Sequence, residues 1–274
     1  MKASLRAIFL SFLIVMVMGL GTYSRAQDAT AEKPAAQAQA APPAGMKLVP
    51  EDLTADLNLS FYSQYIWRGY QLSKDSLVVF PQLTVGYKGF AVTTWVDLDT
   101  RYKASPGKKK FNLQETDVIT TYSNSIKPLK LNYTLGWILY DYQPTKNQEV
   151  FVTLGLDNIL NPTLSVYQQI ETGQATYVQL GVAHSFPVYK EWTLDMAATA
   201  SYMHNTSTND ISAFHDGNIS AGLKIPLNKY LSIKPNIQWS FPLSSSASEE
   251  IKKGSLDGHQ NNFIYGGIIL DCAI

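Results

Sequence analysis

From Leu53 onward the chain alternates apolar and polar residues with hardly a break. Leu53, Ala55, Leu57, Leu59, Phe61, Tyr65 and Trp67 share one face; Thr54, Asp56, Asn58, Ser60, Tyr62, Gln64 and Arg68 share the other. A period of two is a β-strand with one apolar and one polar face. The run is long, since soluble strands are usually about 5–6 residues, whereas a tilted strand that crosses a bilayer needs about 9–11. The pattern recurs to the end of the chain. Twelve candidate strands lie near 53–69, 76–88, 89–102, 112–123, 129–141, 149–157, 162–171, 175–186, 191–203, 217–226, 230–241 and 262–274. Three outward stripes read cleanly: Leu129 to Leu139, Trp192 to Tyr202, and Leu231 to Phe241, each at alternate positions. The expected fold is all-β: a transmembrane, antiparallel, up-and-down β-barrel of about twelve strands with both termini periplasmic.

The connections alternate in length. Short turns fall at Tyr87–Phe90, Lys127–Pro128, Asn158–Asn161, Pro187–Lys190 and Pro226–Lys229; longer polar loops fall at 103–111, 142–148, 204–216 and 242–261. Outer-membrane barrels pair short periplasmic turns with long external loops. A lipocalin-like barrel or a sandwich is the soluble alternative, because alternation alone does not say which face is inside. Strand length and aromatics at strand ends (Tyr65, Trp67, Tyr133, Trp192, Tyr202, Tyr230, Trp239) favour the membrane.

Lys2 and Arg6 precede an apolar run from Ala7 to Leu20, and Ser24-Arg25-Ala26 offers a cleavage site, so residues 1–26 read as a signal peptide. Residues 27–52 are rich in Ala and Pro and read as a flexible periplasmic leader. Residues 53–274 form the barrel. Removing 1–26 takes Lys2, Arg6 and Arg25 from 22 basic residues and nothing from 22 acidic ones, so the mature chain is negative by three. That argues against a nucleic-acid partner. The single cysteine, Cys272, excludes an intrachain disulfide.

Ser63-Gln64-Tyr65-Ile66-Trp67-Arg68-Gly69, followed by Gly89-Phe90-Ala91-Val92-Thr93-Thr94-Trp95, resembles the TorF family, whose members are regarded as outer-membrane porins. Ala91-Val92-Thr93 departs from the Tyr-x-Gly more typical there. The likeness is good over residues 59–100 and architectural beyond. It implies a barrel with a pore role and no defined substrate.

An enzyme is not expected. The four histidines are His184, His204, His215 and His259, and His184 neighbours Ser185 on a strand, where adjacent side chains face opposite ways. His204, Asp210, His215 and Asp216 gather around one loop, but solvated loop histidines are the commoner case. No catalytic residue, metal or cofactor is expected. Interior charge is the better signal. Arg68, Asp97, Asp99, Arg101, Glu115 and Asp117 are expected to line the lumen in its middle or external half. Asp195, Lys224, Lys234 and Asp271 are expected to meet on the last four strands in its periplasmic half as a structural charge network. The expected function is passive diffusion of small hydrophilic solutes through a narrow mixed-charge lumen. The expected partners are outer-membrane lipid, those solutes and the barrel-insertion machinery. The alternative is a closed barrel serving as an anchor or binding through loop 242–261.

Overall fold

The computed structural model describes residues 52–100, 112–142, 145–171, 175–205, 210–256 and 258–273. Its frame is a closed antiparallel barrel of twelve strands. These are β1 (Leu53–Tyr62), β4 (Val78–Tyr87), β5 (Phe90–Asp99), β6 (Asn112–Ile126), β7 (Leu131–Asp141) and β8 (Lys146–Leu156). The circuit continues through β9 (Thr163–Gln169), β10 (Ala175–Tyr189), β11 (Trp192–Asn205), β12 (Ile211–Pro226), β13 (Leu231–Pro242) and β14 (Phe263–Ala273). Two short strands, β2 (Ile66–Trp67) and β3 (Tyr70–Gln71), pair as a hairpin outside the barrel ladder. One helix, α1 (Ser245–Gly254), lies between β13 and β14.

Each of the twelve expected strands has its counterpart. β14 closes the circuit on β1, with Asn58 opposite Asp271 and Phe61 opposite Ile268. Leu53 and Ala273 therefore lie at the same end, the turn side; loops 63–77 and 243–262 lie at the other, the loop side. At the turn side Lys88 and Gly89 take positive φ of 49° and 86°. Positive φ at both central residues suits the two-residue hairpin, whose twist matches that of the strands.

The outer face is apolar and open. Phe90 is 65%, Leu180 59%, Ile237 57% and Ile264 69% exposed. Water does not tolerate so continuous an apolar band, and hydrocarbon does, so this face is built for lipid. Aromatic pairs mark its two rims: Phe90–Tyr122 and Tyr189–Trp192 at the turn side, Tyr202–Phe214 and Trp239–Phe241 at the loop side. Amphipathic rings settle at the headgroup level. Among the described residues no helix is long and apolar enough to cross a membrane.

The first strand is shorter than its alternation suggested. It ends at Tyr62, and the chain turns inward, so Tyr65 and Trp67 are not lipid-facing rim aromatics; each is 3% exposed inside the barrel. Ile66 and Trp67 are consecutive and both bulky, and the inward fold buries both. The expected signal peptide (1–26) and residues 27–51 of the expected leader lie outside the described residues, as does Arg101.

Candidate functional site

The interior divides into two halves. On the turn side the inward residues are polar and include hydroxyl pairs. Cross-strand pairs Thr84–Thr93, Ser123–Thr134 and Thr153–Ser165 each close at 2.8 Å. They line a polar vestibule. Asp195 and Lys234 meet across it at 3.0 Å, reaching over β12 at Gly222. A Cβ on Gly222 would stand 2.8 Å from the Lys234 side chain, so glycine there leaves the bridge its room. Register places Lys224 across from Lys234, between the pairs Gly222–Asn236 and Ile225–Ile233. Lys224 is exposed, and Asp271 takes a long 3.5 Å contact from Asn58. Of the four expected network members, the structure thus brings together Asp195 and Lys234.

On the loop side the lumen is filled. The β2–β3 hairpin turns on Arg68 and Gly69, with φ of 40° and 85°, the same two-residue turn as Lys88–Gly89 but pointed into the protein. Tyr65 packs on Phe80 of β4 and Trp95 of β5, and its hydroxyl donates to Glu115 of β6 at 3.3 Å. Trp67 meets Tyr140 of β7 edge-on. Arg68 reaches Glu149 of β8 with both terminal nitrogens, at 3.3 and 3.0 Å. Its guanidinium lies 5.4 Å over the Tyr167 ring of β9 and 4.1 Å over that of Tyr177 on β10. Tyr70 lies against Met203 of β11 and His215 of β12. Gln64 donates to the Ile264 carbonyl of β14. Starting from β1, the segment touches each barrel strand from β4 through β12, and β14.

Helix α1 backs this plug. Ser244 caps it by accepting from Ala247 N at 3.1 Å, and Lys252 and Lys253 lie in its last turn, where cations suit the helix dipole. Ala247 and Ile251 are fully buried. Ile251 presses on Gly69, where a Cβ would lie 2.8 Å from it and 3.0 Å from Asp216. The Tyr70 hydroxyl donates to Glu250 at 3.4 Å. Within segment 242–261, expected as a polar surface loop, Ala247, Glu250, Ile251 and Ser255 are therefore buried against the plug, while Ser245, Ser246, Glu249 and Lys253 stay exposed.

Electrostatically the loop-side wall is acidic. Asp97, Asp99, Glu115, Asp117, Glu149 and Asp216 are all buried there. Asp97 stands directly across the ladder from Glu115, an arrangement that costs stability by itself. Ser76 donates a short hydrogen bond to Asp99, and Asp216 accepts from Tyr177 and Ser201. A bulge opposite Ser201 turns both His215 and Asp216 inward. Burial, then the Glu115 charge, pushes the Tyr65 hydroxyl well above its ordinary pKa, so it stays a neutral donor. Tyr70 is raised likewise, by burial and then by Glu250. Burial raises the Glu250 carboxyl, with Lys253 and the Tyr70 hydroxyl pulling the other way.

Among the expected lumen residues, Arg68, Asp97, Asp99, Glu115 and Asp117 sit in this half. The wall residues that Arg68 meets, Glu149, Tyr167 and Tyr177, escaped the sequence reading, because nothing local distinguishes them from any other inward position. Ile66, apolar where its neighbours on that face are polar, is a local departure from alternation at the plug, but Val118-Ile119 and Ile268-Ile269 show the same departure inside ordinary barrel strands. His204 faces outward beside Ser212 while His215 is buried inside, so the loop histidines do not gather. Among the described residues no group of three or more His, Cys, Asp or Glu is placed to hold a metal ion. His184 and Ser185 lie on opposite faces, Ser185 donating to Asp195.

A model of a bacterial protein family of unknown function, Gcw_chp, matches residues 48–233. The chain belongs to that family. The match takes in the whole plug-forming segment and the strands from β1 through β12. No curated protein matches the chain. Among solved structures it is similar to the NanC porin, with 10% identity over 80% of this chain and 98% of that one, at a TM-score of 0.49. It is also similar to Pseudomonas putida OprB, with 11% identity over 75% of this chain and 61% of that one, at a TM-score of 0.35. A bacterial polysaccharide outer membrane secretin gives 9% identity over 81% and 98%, at a TM-score of 0.39.

Proposed function

We propose that the protein is an outer-membrane porin of restricted conductance, closed at rest by its own β2–β3 hairpin. Small hydrophilic solutes enter the hydroxyl-lined vestibule from the periplasmic, turn side, and they cross only when the hairpin yields. The observation that carries this reading is the ring of contacts from Tyr65, Trp67, Arg68 and Tyr70 around the barrel circumference. A purely structural anchor needs no polar vestibule, and an ordinary open pore needs no packed plug. The lipid-fitted outer face and the resemblance of residues 59–100 to the TorF family support the placement in the outer membrane. Signal-directed export and delivery to the barrel-insertion machinery complete the proposal.

Planar-bilayer recording tests it. The wild-type protein should show rare, brief openings. A variant with residues 65–71 replaced by a Gly-Ser linker should show steady steps of larger conductance. Equal records from the two proteins would reject the hairpin as a gate, and two silent proteins would reject a pore altogether.

A further inference from the structure

We propose that the pocket filled by Arg68 is a receptor for a small guanidinium-bearing solute, with Arg68 its tethered stand-in; the proposal rests on the gated-pore reading. The pocket belongs to the wall, not to the hairpin. Glu149 presents both carboxylate oxygens to the two terminal nitrogens, at 3.3 and 3.0 Å. Tyr140 donates to the same carboxylate at 3.1 Å and fixes its orientation. Tyr177 and Tyr167 offer ring faces at 4.1 and 5.4 Å, and the Tyr177 hydroxyl is held by Asp216 at 3.0 Å. These groups come from β7, β8, β9, β10 and β12, so they stay in place when the hairpin leaves.

That donor set selects a chemical class. Two parallel carboxylate oxygens match a planar fork, and ring faces at stacking distance favour a flat, weakly hydrated cation. A compact ammonium satisfies the charge but not the fork. Anionic solutes are disfavoured twice. Departure of the hairpin takes Arg68 out of the cross-section and leaves Asp97, Glu115, Asp117, Glu149 and Asp216 around it. An acidic constriction concentrates cations and turns anions away. The solute and Arg68 therefore compete for one site, and binding of the solute holds the gate open.

The test empties the pocket. Arg68→Gly suits the positive φ at this position and leaves the wall intact; Arg68→Lys keeps the charge and loses the fork. Purified Arg68→Gly in detergent is titrated with millimolar guanidinium chloride, and with ammonium chloride and sodium chloride at matched ionic strength, by calorimetry. Guanidinium should bind about tenfold more tightly than ammonium, the worth of one additional hydrogen bond to a charged group. Arg68→Gly with Glu149→Gln should lose the preference. In bilayers the conducting Arg68→Gly and Arg68→Lys variants should favour cations, and guanidinium should linger and reduce the potassium current of Arg68→Gly. Arg68→Gly that conducts but treats guanidinium as it treats sodium would overturn the receptor and leave the gate standing. Arg68→Gly that binds guanidinium yet is silent, alongside a silent linker variant, would overturn the gate and uphold the receptor. Should Arg68→Gly fail to fold, Arg68→Lys carries the same calorimetric comparison, guanidinium being expected to displace the lysine.

Discussion

The same twelve strands enclose two different interiors. The turn-side half is lined by hydroxyl pairs such as Thr84–Thr93 and Thr153–Ser165 and is crossed by the ion pair Asp195–Lys234, whose side chains keep 23% and 16% of their surface. The loop-side half is packed like the core of a soluble protein, with Tyr177, Phe263 and Ile251 fully or almost fully buried, and its ion pair, Arg68–Glu149, keeps 4% and 3%. The difference follows from a single turn. Lys88–Gly89 and Arg68–Gly69 share one backbone geometry, but the first ends in water and the second folds back through the barrel. Lipid sets the outer face of both halves; only the fold-back decides whether the inside is solvent or core. Charge on the turn side is screened and adjustable, while charge on the loop side has to be matched in place.

The two ion pairs give the largest expected contrast. Removing one partner of a buried pair leaves the other charge uncompensated, at about 3–5 kcal/mol, whereas a partly exposed pair contributes about 1 kcal/mol or less. Glu149→Gln should therefore lower the urea midpoint of the lipid-folded barrel markedly, and Asp195→Asn only slightly. Equal midpoints for the two variants would erase the distinction between the halves. Asp195→Asn should also leave the Asn58–Asp271 contact in place, since it joins β1 and β14, away from Asp195 on β11.

The sequence was most informative where one physical rule acted along a whole strand. Alternation located all twelve barrel strands, because lipid on one side imposes a period of two; it left the faces of the strands around Val118-Ile119 and Leu164-Ser165-Val166 unread, and the stripe read from Leu129 starts only at Leu131, Leu129 lying in the turn before β7. It failed at Tyr65 to Trp67, where the rule stopped applying: inside a plug every side chain is buried, and Tyr65 and Trp67 read as rim aromatics only if the strand continues. The site around Arg68 was half legible. Arg68 stood out as a charge on a polar face, but Glu149, Tyr167 and Tyr177 lie 81 to 109 residues away and are joined to it by barrel closure. Helix α1 was missed for a related reason. Ser244 caps it and Lys252 and Lys253 end it, yet its buried residues, Ala247, Glu250 and Ile251, are too few to make an apolar stripe.

Two glycines sharpen the contrast at smaller scale. Gly69 combines φ of 85° with a rigid environment, since an added Cβ would meet Ile251 and Asp216. Gly222 has an ordinary backbone, and its added Cβ would meet the flexible end of Lys234 first. Gly69→Ala should cost about 1–3 kcal/mol from backbone strain and overpacking. It should also raise channel activity by loosening the plug. Gly222→Ala should cost well under that, because Lys234 can swing aside, and it should weaken the Asp195 bridge without opening the barrel. Thermal unfolding separates the first effect from the second, and bilayer recording shows whether the plug has moved. A Gly222→Ala variant that conducts like Gly69→Ala would mean that the vestibule and the plug are mechanically one unit.

The smallest expected effect is a dependence on pH confined to the loop side. Burial holds the Glu250 carboxyl above its ordinary pKa of 4.5, although Lys253 and the Tyr70 hydroxyl offset part of the rise. Folding therefore favours the protonated form. The resulting stabilisation of α1 is fully present below pH 4.5 and is lost as pH rises through the higher folded value. Amide exchange of Ala247 to Ile251, corrected for the intrinsic rate, should slow as pH is lowered through this window. Glu250→Gln should flatten that dependence, since the amide keeps a partner for Tyr70 and has no proton to gain. Asp271→Asn, at the far end of the barrel, should leave the slope in place. A slope that survives Glu250→Gln would assign the titration to another group of the acidic wall, and one that vanishes with Asp271→Asn would couple the two halves.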